Sequence, residues 1–211
     1  MFQFTNSAPT FVLDHVTAGY TRESAVFKDF TLTRTGPGLS RIRGKNGTGK
    51  STLVELISGY LRPQRGSVQI GGIPADRPAA RAARNICRTA LALYPQMSAH
   101  DHLVLASRAR GTDPVDALAR WDHYGAGEWL DSPAGELSTG NARKLWVILC
   151  TLGVGSLVVL DEPFIGLDAH GIETLRSEID AWSITSRVLL VAHGDGAEES
   201  SAEDIVLGTA Q

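Results

Sequence analysis

Gly44-Lys45-Asn46-Gly47-Thr48-Gly49-Lys50-Ser51-Thr52 satisfies the pattern G-x-x-x-x-G-K-[ST] and stands where that pattern has physical meaning. Before it, Leu39 to Arg43 reads as a short strand. After it, Leu53, Leu56, Ile57 and Tyr60 recur at helical spacing from Lys50 to Tyr60, with Gly59 and Pro63 as stop signals. The order is strand, glycine loop, helix. Glycines let successive backbone N–H groups converge on an anion, and the helix N-terminus adds positive potential. Lys50 is placed to reach the β and γ phosphates and Ser51 to ligate Mg2+, so the expected ligand is a nucleoside triphosphate.

A second stretch completes that chemistry. Leu157-Val158-Val159-Leu160-Asp161-Glu162 is an apolar strand that delivers two carboxylates at its C-terminal end, where open α/β sheets bind their ligands. Asp161 is expected to hold Mg2+, and Glu162 to orient and deprotonate the attacking water. On its own an apolar strand ending in Asp-Glu is commonly structural. Beside a phosphate loop it is not.

The rest of the chain predicts an α/β fold. Phe11–Tyr20 and Ala25–Thr33 read as an antiparallel hairpin, and Ser67–Ile70 and Ala90–Tyr94 as short strands. His102–Arg110 and Val115–Tyr124 read as helices of a small helical insert, about residues 97–152. Leu145–Leu160 reads as a buried helix, a glycine-rich turn and a buried strand. Ile172–Trp182, Arg187–Ala192 and Ile205–Leu207 restore the helix and strand alternation of a mainly parallel sheet. The acidic stretch Glu198–Asp204 is expected to be a solvated helix end, and His100-Asp101-His102 a solvated loop without metal.

Composition narrows the function classes. The 211 residues are 43% hydrophobic and 20% charged, enough for a single domain with its own core. A net charge of −3 leaves no basic field for nucleic acid. Cys87 and Cys150 form no CxxC pair, so no disulfide framework or zinc site is expected and a reducing, cytoplasmic setting fits. Met1–Pro9 lacks the pattern of a signal peptide, and the longest apolar run is too short and too interrupted to span a bilayer.

With both motifs in hand, the chain from about Phe11 to Leu207 resembles the nucleotide-binding subunit of an ATP-binding cassette (ABC) transporter. Leu137-Ser138-Thr139-Gly140-Asn141, 24 residues before Asp161, is similar to the family's signature, with Thr139 in place of its first glycine and Asn141 in place of its glutamine. Gln96 resembles the family's Q-loop glutamine, a sensor of Mg2+ and the attacking water. Asp168, in Gly166-Leu167-Asp168, resembles the D-loop aspartate, and His193 the switch histidine that contacts the γ-phosphate. Tyr20 resembles the aromatic residue that stacks on adenine, and it reads equally as a core residue of the hairpin.

The resemblance implies a P-loop NTPase core with an N-terminal antiparallel β subdomain and a helical subdomain. It also implies an ATP hydrolase in which the signature of one copy contacts ATP held by the other. Two nucleotide-binding subunits, identical or different, would drive a separate transmembrane permease subunit from the inner face of the cell membrane. Compact size and Asp161-Glu162-Pro163-Phe164 look like small export cassettes. A soluble ABC ATPase acting on other proteins, or a weakly active regulatory cassette, is the alternative.

Overall fold

In the computed structural model, residues 9–21, 24–191 and 202–208 are described. Strands β1 (Pro9–Ala18) and β2 (Phe27–Thr35) form the expected antiparallel hairpin. β3 (Gly38–Arg43) leads through the glycine loop into helix α1 (Lys50–Ile57). β4 (Arg65–Ile70) returns antiparallel to β1, and β5 (Ile73–Pro74) closes a four-stranded sheet of order β2-β1-β4-β5.

The other sheet is parallel throughout. β6 (Arg84–Cys87), β7 (Leu157–Asp161), β8 (Arg187–Val191), β3 and β9 (Glu203–Val206) lie side by side in that order about the β7–β8–β3 centre. Parallel strands covered on both faces are apolar at successive positions. β7 shows it: Leu157 and Val159 face one core, Val158 and Leu160 the other. The first core places Leu53, Leu56 and Ile57 of α1 between the two sheets. The second packs α2 (Ala99–Arg110), α3 (Pro114–His123), α4 (Thr139–Cys150) and α5 (Ala169–Thr185) on the opposite face. Glu178 of α5 ties that helix to α3 and its end, accepting from Arg120 at 2.7 and 2.9 Å and from the Tyr124 hydroxyl at 2.7 Å. Burial and that carboxylate push the Tyr124 phenol well above its ordinary range. Among the described residues no helix is long and apolar enough to cross a membrane.

Three sequence expectations need correction. Ala90–Tyr94 is not a strand; the sheet instead takes Arg84–Cys87. Glu203 and Asp204 belong to β9 rather than to a helix end, and pair with Arg34 and with Arg41 and Arg43. His102 is buried in α2, not solvated: its Nδ1 donates to the Ser98 carbonyl at 2.8 Å and its Nε2 accepts from the Tyr94 N–H at 3.0 Å. Glu198–Ser201 lie outside the described residues.

Asn85 explains why β6 tolerates polar residues. Its amide is fully buried, donates to the carbonyls of Cys150 and Leu152 at 3.0 Å each, and accepts from the Gly155 N–H at 2.8 Å. Asn85→Ala is therefore expected to cost about 3 kcal/mol of stability, because three backbone groups lose a buried partner. Denaturant unfolding measures this, and a loss under about 1 kcal/mol would mean that water replaces the amide. The neighbouring thiols Cys87 and Cys150 are both buried and free; the hydrogen bond from Cys87, then burial, raises the Cys150 thiol.

Candidate active site

The loop from Gly44 to Gly49 sits at the C-terminal end of β3, the edge at which parallel sheets hold ligands. Gly49 precedes α1 in the left-handed region, at φ 99°, and a Cβ there would lie 2.7 Å from Val26 and 2.9 Å from Phe27. Only glycine allows the loop to turn into the helix this close to the hairpin. No side chain caps α1, so its first N–H groups are left to a ligand. Thr48 closes the loop on itself, its hydroxyl donating to the Lys45 carbonyl at 2.9 Å. Lys50 is 6% exposed, and its ammonium donates to the carbonyls of Gly44 at 2.6 Å and Lys45 at 3.1 Å.

Tyr20, Val26, Asn46, Gly47, Gly49, Lys50, Ser51 and Thr52 line a cavity of about 490 Å³. Such a volume suits a nucleotide. Tyr20 is 68% exposed at this cavity, so it is not a core residue of the hairpin. In donor chemistry, the Ser51 hydroxyl in the loop and the Asp161 carboxylate at the end of β7 are oxygens of the kind a hard cation such as Mg2+ takes.

Glu162 follows Asp161 with φ 51°, in a left-handed conformation uncommon for a residue with a side chain. Its N–H donates to the Val191 carbonyl at 2.8 Å, which holds the turn against β8. Strain of this kind persists where surrounding structure imposes it and gathers at functional sites. The strand thus ends at Asp161, and the backbone turns at Glu162.

The second cluster lies on α4 and the loop before α5. Ser138 caps α4, its hydroxyl accepting from the Asn141 N–H at 3.2 Å, while Asn141 itself is buried and Leu137 packs on the second core. A Cβ on Gly140 would sit 3.0 Å from the Gly166 carbonyl, and one on Gly166 would sit 3.3 Å from the Thr139 methyl. Asp168 caps α5 through the Gly171 N–H at 2.7 Å and pairs with Lys144 of α4 at 2.7 Å. Lys144 is 3% exposed.

The Lys144 hydrogen bond, then that from Gly171, holds the Asp168 carboxyl below its ordinary range. A depressed carboxylate contributes stability that is present above its unfolded value and lost as pH falls through the folded one. Wild type is accordingly expected to lose its advantage over Lys144→Met below about pH 4. Asp168 is largely exposed, so the change should stay under about 1 kcal/mol. A gap that does not vary between neutral and acidic unfolding curves would contradict this.

Gln96 is exposed and lies nine residues past the end of β6, in the turn before α2, so the strand expected to deliver it is absent. The residue that touches Asp161 is Thr89, whose hydroxyl is 2.9 Å from Asp161 Oδ2. Its signal was its position two residues beyond a parallel strand, invisible while that strand was misplaced. His193 lies outside the described residues.

Comparison with known proteins agrees with this geometry. The family model described as ABC transporter matches residues 28–165. A taurine import ATP-binding protein of Mesorhizobium japonicum is 28% identical over 193 residues, 88% of this chain and 74% of that protein. A cytochrome c biogenesis ATP-binding export protein of Bordetella parapertussis is 36% identical over 154 residues, 69% of this chain and 67% of that protein. The solved structure of an ATP-binding subunit of an ABC transporter superposes with a TM-score of 0.85 at 26% identity, covering 94% of this chain and 85% of its own. The family match covers the phosphate loop and the Asp-Glu strand end, and the chain belongs to the ABC transporter family as an ATP-binding, ATP-hydrolysing P-loop subunit.

Proposed function

We propose that two copies of this chain, or this chain and a different nucleotide-binding subunit, close around two ATP molecules and so drive a separate transmembrane permease. One observation carries the reading. Among the described residues the cavity at the phosphate loop is lined by residues between 20 and 52, while Ser138 and Gly140 lie apart from it at the N-terminus of α4, which supports their presenting donors to a nucleotide held by a second copy.

Within each site Tyr20 stacks on adenine, Lys50 and the first N–H groups of α1 hold the phosphates, and Ser51 and Asp161 hold Mg2+. Bound there, Mg2+ neutralises charge on the β and γ phosphates. Glu162 orients the attacking water and takes its proton. Asp168, tied to α4 through Lys144, presents to the facing copy. Loss of the γ-phosphate removes what favours the closed pair, and the population shifts back to open. The helical unit of about residues 97–152, within a single ABC domain, is the side on which the permease docks. That partner holds the chain at the inner face of the cell membrane.

The test is purification of tagged protein from detergent-solubilised membranes of its native host. A multispanning polypeptide in stoichiometric amount is expected. Soluble partners alone would overturn the transport reading in favour of an ABC ATPase acting on other proteins. Export is the direction proposed, on the likeness of Asp161-Glu162-Pro163-Phe164 to small export cassettes; identities to import proteins (28% and 31%) and to export proteins (30% and 36%) overlap and favour neither. Mass spectrometry of cells lacking this chain checks it: export predicts a compound retained inside, import a compound depleted.

A further inference from the structure

Arg88 and Thr89 follow β6, and three parts of the molecule meet on them. The Thr89 hydroxyl lies 2.9 Å from Asp161 Oδ2 and 3.2 Å from the Asp161 carbonyl oxygen. Its one proton goes to the closer, charged acceptor. A carboxylate engaged in this way has its plane fixed and its other oxygen left for a cation.

Helix α4 holds the same two residues from behind. Arg143 donates to the carbonyls of Thr89 at 2.8 Å and Arg88 at 3.4 Å, and the Trp146 Nε1–H donates to the Arg88 carbonyl at 2.9 Å. Arg143 is only 6% exposed. A buried guanidinium that donates to backbone carbonyls fixes the path of that backbone, because losing either contact strands a charged donor. The Arg88 side chain turns the other way, to Glu55 Oε2 at 3.0 Å and Ser58 Oγ at 2.9 Å, at the C-terminal end of α1.

We propose that Thr89 is a positioning residue that sets the Asp161 carboxylate for Mg2+, and that α4, the helix bearing Ser138 and Gly140 at its N-terminus, sets Thr89 through Arg143 and Trp146. The proposal rests on Asp161 being a Mg2+ ligand. It deepens that reading, because any displacement of α4 by a facing copy then reaches Thr89 through three hydrogen bonds and the metal-holding carboxylate of its own site through a fourth, from the Thr89 hydroxyl. The exposed segment carrying Gln96 is not needed for that link.

The experiment is electron paramagnetic resonance of Mn2+ bound to the full chain with a non-hydrolysable ATP analogue, alongside binding of the analogue without metal. Thr89→Val, close in shape but without a donor, is expected to weaken Mn2+ binding about 10-fold and leave metal-free binding unchanged. Thr89→Ser, which restores the hydroxyl, should stay within about twofold of wild type, and Trp146→Phe should weaken Mn2+ about threefold. Unchanged Mn2+ affinity in Thr89→Val would overturn the proposal. Should that variant fail to fold, unchanged affinity in Trp146→Phe overturns it instead. Asp161→Asn separates the two readings: if it leaves Mn2+ affinity intact, the assignment of Asp161 fails, whereas a loss there without a loss in Thr89→Val sinks only the role of Thr89.

Discussion

Glu162→Gln is expected to slow ATP hydrolysis by about 10²- to 10⁴-fold, the range that a positioned general base supplies. The substitution keeps size and removes the ability to accept a proton. The left-handed turn at φ 51° and its hydrogen bond to Val191 involve only backbone, so the glutamine inherits the same placement. ATP affinity should therefore change by less than about threefold, and the loss should fall on turnover rather than binding. Single-turnover hydrolysis together with equilibrium nucleotide titration separates the two. Near wild-type turnover would mean that the proton leaves by another group, and the role given to Glu162 would fall.

Lys50→Met should do the opposite, removing nucleotide affinity by about 100-fold, some 2.7 kcal/mol. An ammonium that is 6% exposed and already aimed along the loop meets phosphate in charge-assisted hydrogen bonds, stronger than neutral ones. Methionine keeps the apolar stem and drops the charge. The carbonyls of Gly44 and Lys45 lose a donor, yet Gly44 is only half-buried and Lys45 exposed, so water replaces it. Stability should accordingly move by less than about 1 kcal/mol. Fluorescence titration with an ATP analogue reads the affinity; a variant that binds as wild type does would show that the uncapped N-terminus of α1 suffices alone.

What the sequence made legible follows from which signals are local. The loop between β3 and α1 announces itself because only glycine and lysine serve there, and β7 because a parallel strand buried on both faces leaves an unbroken apolar run. β6 hides for the opposite reason. Its Arg84 and Asn85 are buried, yet their polar atoms are satisfied by carbonyls from elsewhere in the fold: Ser58 and Ala75 for Arg84, Cys150 and Leu152 for Asn85. No local pattern encodes partners 9 to 67 residues away. Ala90–Tyr94 looks apolar enough for a strand, but Leu91 and Tyr94 are exposed. Thr89, two residues past β6, becomes legible only once that strand is placed at Arg84–Cys87. Glu162 was legible as a residue and not as a conformation, since a left-handed backbone in a non-glycine residue has no sequence signature.

Helix α1 lies between two sheets, with Phe11, Leu13 and Val68 on one side and Leu157, Val159 and Leu189 on the other. A helix clamped on both faces has no soft direction in which to slide. Load arriving through α2, α3 and α4 therefore meets β6 and β7 first and spreads across their ladder before it can bend the phosphate loop. The phosphate loop therefore opens onto a helix held from two sides, and movement elsewhere in the chain is measured from there.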